Sequence, residues 1–356
     1  MPSLKEIKGR INSISSTLAI TSAMKMVASA KLQKAQMAIQ NMLPYERRLY
    51  SMLVDLMGAM NISAAASEDG SVRGSGSAER GFDQSGDRLS LSNRHDLAGM
   101  DGAYSLMAQR EVRKVAIVAF ASNSSLCGAF NSNAIREATA VINEYRASGL
   151  GDADITVYSV GRKMAEAMKK LGFPSPADFT KMSDSPSYDA ASALAQELFD
   201  GFVSGRFDKV ELVYNHYKST SSQPTTRQTY LPLSLADATA DIQVGKITDS
   251  ASEPYADKVA EPVVRQNSPT TETPDLIVEP SKEELIATLL PKVVRLRVFT
   301  TLLDSTAAEH AARTVAMQLA TDNGNDLLQE LTLEYNKGRQ QKITSEILDI
   351  VGGSLQ

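Results

Sequence analysis

Few residues in this chain have the types and spacing that chemistry needs. Its three histidines, His95, His216 and His310, are far apart in sequence and are expected in a loop, a strand and a helix, so they form no metal-ligand spacing. His310 sits among Ala307, Ala308, Ala311 and Ala312, the surroundings of a packing or solvated helix residue. The single cysteine, Cys127, would act as a nucleophile only beside a base, and no pattern supplies one. It also excludes an internal disulfide and suits a reducing, cytosolic compartment. The first strand runs into Ser122 to Phe130 (Ser-Asn-Ser-Ser-Leu-Cys-Gly-Ala-Phe), where a dinucleotide site would need a G-x-G-x-x-G turn to bring the backbone up to pyrophosphate. That motif and a P-loop are both absent. No catalytic, cofactor-binding or metal-ligating residue is expected.

The two ends of the chain carry the stronger signal. Apolar or small residues fall at Leu4, Ile7, Ile11, Ile14 and Leu18, and the 3,4 spacing resumes at Ala28, Leu32, Ala35, Ile39 and Met42. That alternation is the seam of a coiled coil, with a polar break at Thr21 and Lys25. A second stripe runs, with slips, from Leu296 to Val351, so one chain can supply both strands of an antiparallel pair. Ser3 with Glu6 and Ser281 with Glu284 fit capping boxes at the two helix starts. Gly352 and Gly353 suit a C-cap. A helix from Leu4 to about Met57 would span roughly 80 Å, too long for one ordinary domain. Ala307, Ala308, Ala311, Ala312, Ala316 and Ala320 form a small-residue stretch for close helix approach. Between Gly338 and Ile343 the stripe slips by five residues, which reads as a stutter in the winding.

The middle third changes period. Strands are expected at Val115–Phe120, Ile155–Val160, Val210–Tyr214 and Arg227–Leu231, and helices at about Phe130–Arg146, Lys163–Leu171 and Ala190–Val203. Strands alternating with helices imply a small sheet covered by helices, its parallel part doubly wound and Rossmann-like. The expected organisation is an N-terminal coiled-coil helix at 1–60, an insertion at 61–104, a central α/β domain at 105–233, an acidic loop at 234–278 and a C-terminal coiled-coil helix at 279–356. The two intervening segments read as surface loops or partly disordered.

Charge separates these parts. Residues 1–48 carry eight basic side chains against Glu6 and Glu46, a local +6, whereas Ser234 to Val278 carries eight acidic against three basic, a local −5, within a net charge of −5. The basic helix wants an acidic partner and the acidic loop wants solvent. No apolar run reaches the roughly 18 residues of a membrane span. The basic start is also open to reading as a transit peptide, but the heptad seam continues past residue 40 without a change of character.

The termini resemble those of the gamma subunit of F-type, proton-translocating ATP synthase of bacterial type. The resemblance rests on Ser3 to Ile11 (Ser-Leu-Lys-Glu-Ile-Lys-Gly-Arg-Ile), Ile20 to Ala28 (Ile-Thr-Ser-Ala-Met-Lys-Met-Val-Ala) and Ala30 to Gln36. At the other end it rests on Glu309 to Arg313 (Glu-His-Ala-Ala-Arg), Ala320 to Gly324, Leu333 to Lys337, Arg339-Gln340, Ile343-Thr344 and Glu346-Ile347. Leu126 to Asn131 and Tyr214-Asn215 add internal matches. Two departures stand out. Asn123-Ser124-Ser125 replaces the family's usual Asp-Arg-Gly turn, and 61–104 is longer than the usual connection. The paired-cysteine switch of chloroplast gamma subunits cannot operate with Cys127 alone.

The resemblance implies a non-catalytic rotor: a coiled-coil shaft in a ring of three alpha and three beta subunits, and a foot on the c-subunit ring beside an epsilon-type subunit. It implies beta-subunit contacts by Met24, Lys25, Arg313, Arg339, Gln340 and Thr344, with Met24 and Lys25 facing an acidic lever, and a c-ring contact by Glu279. It implies no cofactor, no nucleic acid, and an indirect, peripheral association with the cytoplasmic side of the bacterial plasma membrane. Against it stand a coiled-coil scaffold or nucleic-acid-binding arm, motivated by the basic helix, and a nucleotide-dependent enzyme built on the middle domain.

Overall fold

The computed structural model describes residues 3–59, 106–107, 110–233, 278–279 and 281–353. The expected insertion at 61–104 and nearly all of the acidic loop at 234–278 lie outside these residues. Helix α1 (Leu4–Ala59) opens the chain and helix α6 (Lys282–Gly353) closes it. At 56 and 72 residues they extend about 84 and 108 Å. Both run through an interior proline, Pro44 and Pro291, which tertiary packing must outweigh.

The amide of Glu6 donates to Ser3 Oγ at 3.3 Å and that of Glu284 to Ser281 Oγ at 3.2 Å, so both serines cap as their spacing implies. The Glu6 carboxylate accepts from Arg10 at 2.8 Å, one turn on. At the far end, Gly352 and Gly353 are counted within α6, so the expected glycine cap does not stop the helix before them.

The helices pair antiparallel along one register. A Cβ on Gly338 would touch the Leu4 side chain, a Cβ on Gly324 would touch Leu18, and Thr321 Oγ1 donates to Thr21 Oγ1 at 3.1 Å. Lower down, Leu32 and Ala35 meet Ala307 and Ala311, and Glu46 accepts from Arg297 at 3.1 Å. Every 3,4 position of α1 from Leu4 to Leu56, Thr21 and Lys25 included, is buried or half-buried. The polar break at Thr21 therefore has an internal partner, Thr321.

Between the helices in sequence lies a four-stranded sheet, β1 (Val115–Phe120), β2 (Ile155–Val160), β3 (Lys209–Asn215) and β4 (Thr225–Leu231), in the order β2-β1-β3-β4. The first three strands are parallel and β4 is antiparallel to β3. The connecting helices are α2 (Phe130–Ala147), α3 (Arg162–Lys170), α4 (Thr180–Asp184) and α5 (Tyr188–Val203), with a short 3₁₀ turn at Asp152–Asp154. That turn and α4 are too brief to leave a periodic trace in the sequence.

Side chains alternate across β1. Val115, Ile117 and Ala119 face α2 and α3 with Ala134, Ala138, Val141, Met164 and Met168, whereas Ala116, Val118 and Phe120 face α5 and the lower ends of the long helices. Leu49, Leu53 and Leu56 of α1 and Ile286, Leu290, Val293 and Val298 of α6 complete that second core. The sheet is thus covered on both faces, and the base of the coiled coil is itself one of the covering layers.

Candidate functional site

In a doubly wound sheet a ligand would sit beyond the carboxyl ends of the strands, where the winding reverses, here between β1 and β3. In this chain helix α6 lies across that crevice. Ala308 packs on Cys127 and Phe130, with Ala312 beside them, and a Cβ on Gly128 would meet Ala316 at 3.8 Å. Asp304 accepts from the Tyr217 amide at 2.9 Å and contacts His216 Nδ1 at 2.6 Å, just past the end of β3. The small-residue stretch of α6 thus serves two faces: Ala307 and Ala311 turn to α1, and Ala308 and Ala312 turn to the head.

Cys127 is fully buried, and its Sγ lies 3.2 Å from Asn131 Nδ2 and 3.9 Å from the Ser124 carbonyl. Among the described residues none of its polar partners is a base, and no group of His, Cys, Asp and Glu is arranged to hold a metal. The turn Asn123-Ser124-Ser125 is held by its own side chains. Asn123 Oδ1 accepts from the Arg162 amide at 2.7 Å, its Nδ2 donates to the Thr180 carbonyl at 2.7 Å, and Ser124 Oγ accepts from Arg313 at 2.7 Å.

Arg313 is buried, paired with the buried Glu309 at 2.7 Å one turn back. Burial pushes the Glu309 carboxyl up, and the Arg313 charge opposes that rise. His310 lies between them in sequence with Nδ1 3.4 Å from the Arg313 guanidinium, and burial, with Arg313 and Lys31, lowers its pKa to about 4. Arg313 is therefore engaged inside the chain, joining α6 to the turn after β1.

The other sequence-derived positions divide into three places. Met24 and Lys25 are half-buried on the upper coil, at the level of Met317 and Gln318 by the helix register, and Lys25 has no ion-pair partner among the described residues. Arg339, Gln340 and Thr344 are exposed near the end of α6, where Thr344 Oγ1 returns a bond to the Gln340 carbonyl at 2.9 Å. Glu279 is exposed at the opposite end, before the Ser281 cap. The structure brings the terminal trio onto one short stretch of helix and keeps it far from Glu279.

Past Gly338, α6 has no antiparallel partner among the described residues, since Leu4 at the start of α1 lies opposite that glycine. The five-residue slip is therefore the end of the pairing and not a stutter within it. The last 15 helical residues, 339–353, extend beyond that register for about 22 Å. Ile343, Ile347 and Ile350 fall at i, i+4 and i+7 on this segment, each exposed, Ile350 to 72 %. An apolar stripe exposed along the end of a helix is a surface suited to a partner. Periodicity alone missed it, because the stripe looks the same whether its partner is in the chain or outside it.

Fold and site together define a long two-helix shaft carrying a small α/β head. A family profile described as ATP synthase matches residues 3–355. Among relatives, the chain is 48% identical over 355 residues to an ATP synthase gamma chain of Phocaeicola vulgatus, and 45% identical over 356 residues to one of Bacteroides thetaiotaomicron, with 100% of each chain covered in both cases. A chain of the Euglena gracilis mitochondrial ATP synthase shares the fold at a TM-score of 0.52 and 19% identity, over 99% of this chain and 93% of that one. The chain belongs to the ATP synthase gamma-chain family, the non-catalytic central-stalk subunits of that complex.

Proposed function

We propose that this chain is the rotor of a proton-translocating ATP synthase, turning within three alpha and three beta subunits and standing on a c-subunit ring. The observation that carries the reading is the exposed apolar end of α6 on a self-made two-helix rod. A rod whose own core is complete can turn as a unit. Its lone tip offers apolar side chains to a sleeve without wedging a second helix into it.

In this reading the head is the foot of the rotor, and proton-driven rotation of the c ring turns it. The shaft then presents different faces to the beta subunits and drives them between conformations of different nucleotide affinity. Arg339, Gln340 and Thr344, exposed at the base of the tip, form a polar catch on a beta-subunit loop. Met24 and Lys25 face an acidic beta-subunit lever, and the +6 charge of residues 1–48 supports that sign of partner. Arg313 belongs to the coupling region as the residue that holds α6 to the head. Glu279 meets the polar loops of the c ring, next to an epsilon-type subunit on the foot. Association with the cytoplasmic face of the bacterial plasma membrane is peripheral, through the complex; no described helix is long and apolar enough to cross a bilayer.

Co-expression with the alpha and beta subunits of its own organism tests this. The expected product is one copy of the chain with three of each partner and Mg-ATPase activity that depends on the chain. A homo-oligomer that ignores both partners would replace the rotor with a coiled-coil scaffold.

A further inference from the structure

A rotor must pass torque from head to shaft, so the joint between them matters as much as either part. The head meets the free coil along Asp304–Ala316 of α6, through Ser124, Cys127, Gly128 and Phe130, and there one side chain, Tyr217, reaches both long helices. It lies two residues past the end of β3, and its amide donates to Asp304 of α6 at 2.9 Å. The other oxygen of the same carboxylate meets His216 Nδ1 at 2.6 Å, so Asp304 takes both of its partners from the head. The Tyr217 hydroxyl accepts from Gln36 Nε2 of α1. Its ring packs against the cluster of Leu32, Ala35, Ala307 and Ala311 between the helices, and also against Cys127, Phe130 and Ala308 between α6 and the head.

We propose that Tyr217 is a key that locks the head to both shaft helices at once, so that torque reaches the free coil without slip. The inference rests on the rotor reading. A ring seated between two helices resists their rotation by steric contact, while Gln36 of α1 holds its hydroxyl and Asp304 of α6 holds the Tyr217 backbone amide. Alanines at 307, 308, 311 and 312 make the room that the ring fills. Tyr217 is in this sense a positioning residue, acting through the helices it holds.

The test uses the assembled complex with a bead on the head at Lys170→Cys, an exposed site; the native Cys127 is fully buried and does not compete for the label. Angular fluctuation of the bead is read in the stalled complex, and rotation is read on MgATP. Tyr217→Ala is expected to raise the angular variance severalfold over the parent, and Gln36→Leu, which leaves the ring in place, to raise it less. Val141→Ala, a core change within α2 and away from the joint, is expected to lower thermal stability and leave the variance unchanged. If Tyr217→Ala does not assemble, Gln36→Leu decides alone, and a variance equal to the parent overturns the key. The key also fails if Val141→Ala raises the variance as much as Tyr217→Ala does. A parent complex that does not rotate on MgATP would remove the rotor reading itself, a result distinct from the other two.

Discussion

His310 is held neutral by its surroundings, and the sign of the resulting pH dependence is fixed. Its folded pKa of about 4 lies below the ordinary imidazole value near 6.5, with burial as the main cause and Arg313 and Lys31 as further ones. Between those pH values the unfolded chain takes up a proton that the folded chain refuses. The stability contributed by the neutral ring is complete above 6.5 and is lost as pH falls towards 4. The raised carboxyl of Glu309 works in the opposite direction at the acid end of that window. An NMR titration of the isolated chain should give a His310 midpoint near 4, and the exposed Lys31→Ala should move it up. Gly161 is a second decisive residue. Its φ is +99°, and a Cβ there would stand 2.0 Å from the Ala121 carbonyl oxygen, a backbone atom that cannot step aside. Gly161→Ala should therefore cost about 2–4 kcal/mol, read as a lowered urea midpoint. The sequence marks neither residue. His310 reads as one more helix residue among alanines until the head is folded against it, and Gly161 owes its role to a distant loop, the one that carries Ala121.

At the scale of elements, the glycines of the long helices separate propensity from packing. A Cβ added at Gly9 would have nothing within 4 Å, so Gly9→Ala should stabilise α1 by about 1 kcal/mol. Gly324 offers the same gain in propensity, but its Cβ would come within 2.7 Å of Leu18 Cδ2. Gly324→Ala should therefore gain less than Gly9→Ala, because the Leu18 side chain must turn aside, and a double-mutant cycle with Leu18→Ala followed by helix circular dichroism on heating will show the coupling. The same contrast explains what was legible. The α1 seam reads cleanly because that helix buries one narrow stripe for most of its length. Over Arg297–Gln318 the α6 stripe is blurred, because the helix is enclosed by α1 on one side and the head on the other, and a helix covered all round carries no single stripe. Strands β1 and β2 match the expected bounds, because buried parallel strands are short apolar runs. Arg339, Gln340 and Thr344 stand out through family resemblance alone, since nothing in exposed polar spacing distinguishes a contact from a solvated face.

For the whole molecule, the geometry separates what folds the chain from what the chain offers to others. The head and the base of the coil share a core, and the upper coil closes on itself through Leu4 and Gly338. Nothing beyond Gly338 is needed for that closure. Deleting residues 339–356 should leave the thermal unfolding midpoint of the isolated chain unchanged within error, because the exposed tip contributes almost no burial. The tip also exposes the apolar stripe of Ile343, Ile347 and Ile350 to water in the isolated chain. The full-length chain should then self-associate as its concentration rises, and the truncated chain should stay monomeric over the same range by light scattering. A midpoint that drops on truncation would mean that the tip folds back on the coil and is not the free end on which the rotor reading depends.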